Sequence, residues 1–137
     1  MNMLKYMLDT NIVIYVIKRR PLEVLDTFNR HAGQLCISSI TLAELLHGAE
    51  KSAQPEHNLQ QVDNFTSRLE VLDYNHHAAA HYGDIRASLE RKGTPIGIND
   101  LHIAGHARST GLILVTNNLR EFERIEGLRT ENWILSV

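Results

Sequence analysis

The chain has one cysteine, Cys36, so no internal disulfide can form and a reducing, cytoplasmic setting is expected. Its neighbours, Gln34-Leu35-Cys36-Ile37, read as a buried strand, which favours an inert packed thiol over a nucleophile. Long apolar runs are missing as well. Lys5, Asp9 and Lys18 break the N-terminal stretch, leaving neither a secretory core nor a membrane span. An excess of positive charge is also lacking: 14 Lys and Arg against 16 Asp and Glu give a net charge of −2, which argues against a generally basic nucleic-acid binder. RNA is not thereby excluded as a substrate, because steering depends on patches and not on totals. There is no internal repeat and no low-complexity linker, and 137 residues at 43% hydrophobic content fit one globular domain spanning 1–137.

Short β-rich apolar runs alternate with longer segments of helical period, the pattern of an α/β fold with a mostly parallel sheet. Strands are expected near Lys5 to Leu8, Leu35 to Ser38, Glu70 to Leu72 and Leu112 to Val115, with a weaker one near Leu128 to Trp133. Pro21 can open a helix whose Val24, Leu25 and Phe28 share a face. After Pro55, Leu59, Val62, Phe65 and Leu69 step at helical intervals. The clearest helix runs from about His76 to Lys92, with Ala78, Tyr82, Ile85 and Leu89 as its buried stripe and Gly93 as its stop. Gly93-Thr94-Pro95-Ile96-Gly97 is the one conspicuous loop.

Three acids fall where such elements meet turns or helix starts. Asp9 ends Leu4-Lys5-Tyr6-Met7-Leu8, Glu44 interrupts Ile40-Thr41-Leu42-Ala43-Glu44-Leu45-Leu46, and Asp100 follows Gly97-Ile98-Asn99. Singly, each has an ordinary explanation: Asp9 as a helix cap, Glu44 as a solvated helix residue, Asp100 as a partner of its helix dipole. Jointly they lie at the edges of the crevice that an open α/β sheet forms beyond its strand ends. Asp100 is in line with Ile103, Ala104 and Ala107 at i+3, i+4 and i+7, which places it on the inward face of its helix. Carboxylates beside core residues are costly unless compensated, so their convergence requires a divalent cation.

The arrangement resembles the PIN-domain ribonucleases, and most closely the VapC toxins of bacterial toxin–antitoxin pairs. The resemblance covers nearly the whole chain. It rests on Met7-Leu8-Asp9-Thr10-Asn11, on Ser38-Ser39-Ile40-Thr41-Leu42-Ala43-Glu44-Leu45 with Gly48 and Ala49 behind it, on Gly97-Ile98-Asn99-Asp100-Leu101-His102-Ile103-Ala104, and on Leu114-Val115-Thr116-Asn117-Asn118 leading to Glu121-Phe122. It implies a PIN-like fold of about five strands flanked by helices, with an acidic crevice at the strand C-terminal ends. Asp9 and Asp100 would then be principal ligands of Mg²⁺, with Mn²⁺ as a substitute, and Glu44 a ligand or a water-orienting base. Many family members carry an Asp where Asn118 stands here, and Glu121 resembles the acid that close VapC relatives use instead. Thr116 and Asn11, with Asn118 beside them, fit a supporting role, since a hydroxyl or an amide can hold a ligating carboxylate in one orientation. The resemblance further implies an endoribonuclease that cuts initiator tRNA in its anticodon region, a homodimer, and a cognate VapB-type antitoxin.

Basic residues suggest where RNA would lie. Arg86, Arg91 and Lys92 flank the loop before Asp100, and Lys18-Arg19-Arg20 follows the first helix, although a solvated surface explains most of them. His102 and His106 are spaced i, i+4 as two zinc ligands would be, but the glutamate of a His-Glu-x-x-His protease is missing, which leaves ordinary surface or interface histidines. His76-His77 opens a helix, where capping or exposure accounts for it. Two rival functions remain at this level: a receiver-type signalling domain, although Leu8-Asp9-Thr10 lacks its paired acids, and a catalytically silent PIN-like binding module.

Overall fold

The computed structural model describes residues 3–134. The chain begins with strand β1 (Tyr6–Leu8), helices α1 (Thr10–Lys18) and α2 (Leu22–Arg30), and strand β2 (Leu35–Ser38). Helices α3 (Ser39–Glu50) and α4 (Pro55–Thr66) lead to β3 (Glu70–Leu72), then α5 (His76–Arg91) and α6 (Ile98–Thr110). Strand β4 (Ile113–Val115), the short helix α7 (Leu119–Phe122) and β5 (Thr130–Glu131) complete it. The five strands form one sheet in the order β3-β2-β1-β4-β5, and every pairing is parallel.

A parallel sheet needs cover on both faces, and the strand residues divide accordingly. Tyr6 and Leu8 of β1, Leu35 and Ile37 of β2 and Val115 of β4 point into one core, shared with Val13 and Val16 of α1, Phe28 of α2 and Phe65 of α4. Met7, Cys36 and Leu114, the alternate positions, point into a second core with Ile85 and Leu89 of α5 and Leu101, Ile103 and Ala107 of α6. Burial pushes the Cys36 thiol up to about 12, so it is a packing group, as the strand pattern indicated. Among the described residues no helix is long and apolar enough to cross a membrane.

The element boundaries follow local chemistry. Lys5 and Leu112 flank their strands without joining them, and the expected 128–133 strand contracts to a two-residue ladder. Leu69 lies past the end of α4 and packs against the first core from the following turn. Gly93, at φ 71°, takes up the left-handed conformation that ends α5 after its Lys92 cap, and Gly111 does the same for α6. Helices α5 and α6 approach so closely that a Cβ on Gly105 would stand 2.9 Å from the Tyr82 backbone nitrogen.

Candidate active site

Asp9 sits where β1 ends in the middle of the sheet. It is 4% exposed, and its Oδ1 accepts the Ile12 N–H at 2.9 Å, capping α1. Burial raises its pKa, helped by the charge of Glu44, while the Thr116 hydroxyl and the N–H groups of Ile12 and Asn11 work in the opposite direction. The cap expected of an isolated Asp is therefore present, yet it coexists with a neighbouring acid. A plain cap has no such neighbour.

Glu44 reaches the same place from α3. Its Oε1 accepts the Thr10 hydroxyl at 2.6 Å and its Oε2 accepts the Asn99 amide at 3.0 Å, so donors from the starts of α1 and α6 hold it from two sides. The Thr10 hydroxyl also lies 3.3 Å from that of Thr41. Asp100, in the first turn of α6, is half-buried, and its carboxyl is pushed up to about 6, first by burial and then by the charges of Glu121, Asp9 and Glu44. Glu121 lies in the first turn of α7 and is likewise half-buried. Among the described residues no Lys, Arg or His comes within ion-pair distance of any of these acids. Negative charge is thus concentrated on one small surface without an ion-pair partner among the described residues.

The four side chains do not close into a cage. Among the described residues, no three His, Cys, Asp or Glu groups stand close enough to wrap one metal ion. The reason is visible in their hydrogen bonds: Glu44 is drawn to Thr10 and Asn99, and one oxygen of Asp9 caps a helix. An open, all-oxygen donor set suits a hard cation that retains several waters and takes only one or two carboxylates directly.

The supporting residues are sorted by the same geometry. Thr116 is fully buried, and its hydroxyl bears on Asp9 while its oxygen accepts the Asn118 N–H at 2.9 Å. Asn118 therefore acts through its backbone. Asn11 is exposed and touches Asp9 through its N–H, in place of the side-chain amide that the sequence suggested. Thr10 and Asn99 escaped notice in the sequence, although each adjoins an acid at a helix start. Arg86 is engaged by the Tyr82 hydroxyl at 2.7 Å and by Glu90, and Lys92 stands 3.9 Å from Glu126. Arg91 lines a notch together with Arg108 and Arg124.

The histidines differ from expectation. His106 is 1% exposed, its Nδ1 lies 2.7 Å from the Ser38 hydroxyl, and Tyr74 meets it edge-on, so it is a core residue and not a surface one. His102 stacks on Tyr82 at 4.2 Å, with Nδ1 2.8 Å from the Tyr74 hydroxyl. Burial lowers both pKa values. Each ring is committed to packing, which removes the zinc reading. His76 and His77 are exposed, and Asn75 supplies the cap of α5. A groove of about 330 Å³ between α1, α3 and α4 begins at Thr10 and Glu44, runs past Ile14, Ile17 and Val62, and ends at Lys18.

Residues 6–128 match the model of the PIN domain. The chain is 66% identical over 132 residues to a protein of Haemophilus influenzae named Ribonuclease VapC2, covering 96% of this chain and all of the relative. It is 60% identical over 131 residues to the tRNA(fMet)-specific endonuclease VapC of Shigella flexneri, covering 96% of this chain and 99% of that protein. Among solved structures, a chain of the DNA-bound VapBC complex from Salmonella typhimurium superposes with a TM-score of 0.93 at 61% identity, covering 96% of this chain and 100% of the other. The parallel five-strand fold and the similarity over almost the whole length agree, and the chain belongs to the PIN-domain family, in its VapC branch.

Proposed function

We propose that this chain is the toxin of a toxin–antitoxin pair, an endoribonuclease that hydrolyses an RNA phosphodiester bond with the help of Mg²⁺ or Mn²⁺. The observation that carries the reading is the Asp100 carboxyl, pushed up to about 6 by burial and by Glu121, Asp9 and Glu44. A divalent cation would relieve both parts of this cost, the burial of a charge and the repulsion among the acids. Asp9 and Asp100 would hold the ion directly, Glu44 would hold it or orient the attacking water, and Glu121 would contribute from a weaker position. When bound, the cation supplies a water of lowered pKa and neutralises the charge that builds on the phosphodiester.

The chain's own residues fix the geometry. Thr116 and the first turn of α1 set the orientation of Asp9, while Thr10 and Asn99 keep Glu44 from rotating away. The attacking water delivers its proton toward a carboxylate, with Glu44 nearest in role to a general base. Neither serine nor cysteine is required as a nucleophile, which agrees with the inert setting of Cys36.

For the substrate we propose initiator tRNA, cut in the anticodon region. The support is that relatives at 60% and 61% identity bear the name tRNA(fMet)-specific endonuclease. A presented loop also suits a chain of net charge −2, which cannot hold long RNA through charge alone. The proposed partner is a VapB-type antitoxin in a complex with a homodimer of this chain in the cytoplasm, supported by the VapBC complexes among similar structures. The apolar groove from Thr10 to Lys18 gives an antitoxin segment a seat from which it would cover Glu44.

Membership of the PIN family sets aside the receiver-type reading; the silent binding module is settled by assay. Purified protein is incubated with total tRNA, an isolated anticodon stem–loop and an unstructured RNA of equal length, with Mg²⁺ or with EDTA, and the cut ends are mapped. A single cut in initiator tRNA and its stem–loop, abolished by EDTA and restored by Mg²⁺, is expected. Comparable cleavage of all three RNAs overturns the tRNA assignment, cleavage in EDTA overturns the metal, and no cleavage at all restores the silent module.

A further inference from the structure

A cluster of arginines lines a notch apart from the acids. A notch of about 260 Å³ between α5, α6 and the connection 123–129 is lined by Ser88, Arg91, Arg108, Arg124, Asp84 and Glu126. At about 30 Å³ for a water molecule, it has room for a phosphodiester group and several waters. Arg108 forms its floor. Its side chain is only 15% exposed and donates to Asp84 Oδ2 at 2.6 Å, to His81 Nδ1 at 2.8 Å and to the Glu126 carbonyl at 3.0 Å, so Asp84 is paired with Arg108 through one oxygen. The Glu126 carboxylate is 91% exposed and lies nearest to Lys92.

Two guanidinium groups are left. Arg124 spends one N–H on the Pro95 carbonyl at 3.4 Å, and Arg91 donates no hydrogen bond within the described residues, though Asp84 senses its charge. Arg124 follows Glu121 by three residues, and Pro95 lies in the loop that leads to Asp100. The notch is therefore tied, through Arg124 and Pro95, to the two segments that carry Glu121 and Asp100. A guanidinium is matched in shape to a phosphate and binds it through two parallel N–H bonds. In a protein of net charge −2 whose crevice repels polyanions, RNA needs such an anchor outside the acids.

We infer that Arg91 and Arg124, over the floor made by Arg108, bind a backbone phosphate of the RNA away from the bond that is cut. This rests on the nuclease reading above and deepens it, with Arg124 in the place of Arg86, which is held by Tyr82 and Glu90, and with Lys92 at the notch edge beside Glu126. The test measures equilibrium binding of an initiator tRNA transcript to the full chain in EDTA across a salt series, and then steady-state cleavage in Mg²⁺. Wild type is compared with the double variant Arg91→Gln/Arg124→Gln and with Arg30→Gln, which removes one charge from α2.

The double variant is expected to weaken binding by roughly 10-fold, about 3-fold for each arginine, and to flatten the slope of log Kd against log salt by about 1, the value for one phosphate. KM should rise in step while kcat is unchanged, because no reacting group is touched. Wild-type Kd and slope in the double variant, or an equal loss in Arg30→Gln, overturns the notch. If the double variant proves misfolded by its melting curve, Arg91→Gln alone decides, since it loses no internal hydrogen bond: about 3-fold weaker binding supports the notch and wild-type binding overturns it. Wild type that binds tRNA without cutting it refutes the nuclease while the Kd comparison still decides the notch; wild type that does not bind tRNA refutes both.

Discussion

Asp100 shows what a carboxylate among carboxylates does to stability. Its folded pKa of about 6 lies above the ordinary 3.8, so between those values the folded chain holds a proton that the unfolded chain has released. The sign follows: the contribution of this one carboxyl to metal-free stability is greatest below that window and falls as pH rises through it, by at most about 3 kcal/mol and by less once solvent screening of a half-buried group is counted. Asp100→Asn should remove this loss, raising apo stability at neutral pH by about 1–2 kcal/mol, or roughly 3–8 °C in Tm, while lowering cleavage more than about 100-fold. Melting curves across the pH window and a cleavage assay check both halves; a mutant that is inactive because it is unfolded takes Asp100 out of the site. Thr10→Val and Asn99→Ala test the clamp on Glu44. Each should lower kcat by about 10-fold to 100-fold with little change in KM, since the residue orients a carboxylate and does not bind RNA. Glu121→Gln should cost less than Asp9→Asn, because Asn118 already leaves that corner short of charge; equal rates for Glu121→Gln and wild type at limiting Mg²⁺ assign Glu121 to the surface.

At the scale of elements, the contact between α5 and α6 is the tightest joint. A methyl at Gly105 would meet the Tyr82 nitrogen at 2.9 Å and the Ala78 carbonyl at 3.1 Å, all backbone, so nothing flexible can yield. Gly105→Ala should destabilise by about 1–3 kcal/mol despite the better helix propensity of alanine, lowering the denaturation midpoint with the slope unchanged. A wild-type midpoint would mean that the helices part at no cost. The same pair shows how far the sequence could be read. Helix α5 was plain, because Ile85 and Leu89 make a stripe and Gly93 stops it. Helix α6 misled where its histidines are concerned: Leu101 and the run from Ile103 to Ala107 are all buried, so the helix has no polar face beneath His106. A stripe argument works only for a helix with one wet side. The strand ends that carry Asp9, Ser38 and Thr116 were legible from apolar runs, whereas β5 pairs through two residues and left little signal. The clamp on Glu44 was illegible for another reason, since Thr10 and Asn99 are 34 and 55 residues away from it and meet only through the fold.

For the molecule as a whole, cation binding and folding should be linked. A ligand that binds only the folded chain stabilises it by about 2.7 kcal/mol at one hundred times its Kd. Titrating Mg²⁺ should therefore raise the Tm of the wild type and leave Asp9→Asn almost unmoved; an equal rise in both would place the ion elsewhere. The two walls of the crevice also differ in how they are anchored. Asp9 stands on the central strand, flanked by β2 and β4, and its own N–H donates to the Val115 carbonyl at 3.0 Å. Glu121 stands on a four-residue helix whose N-cap makes no side-chain cap bond. Amide protons at Asp9 and Thr116 should accordingly exchange with solvent only when the entire chain opens, while those of residues 119–123 exchange through brief local fraying. On the proposed reading an RNA loop would meet a site with one immovable jaw and one that breathes, and could widen it on the Glu121 side without disturbing Asp9.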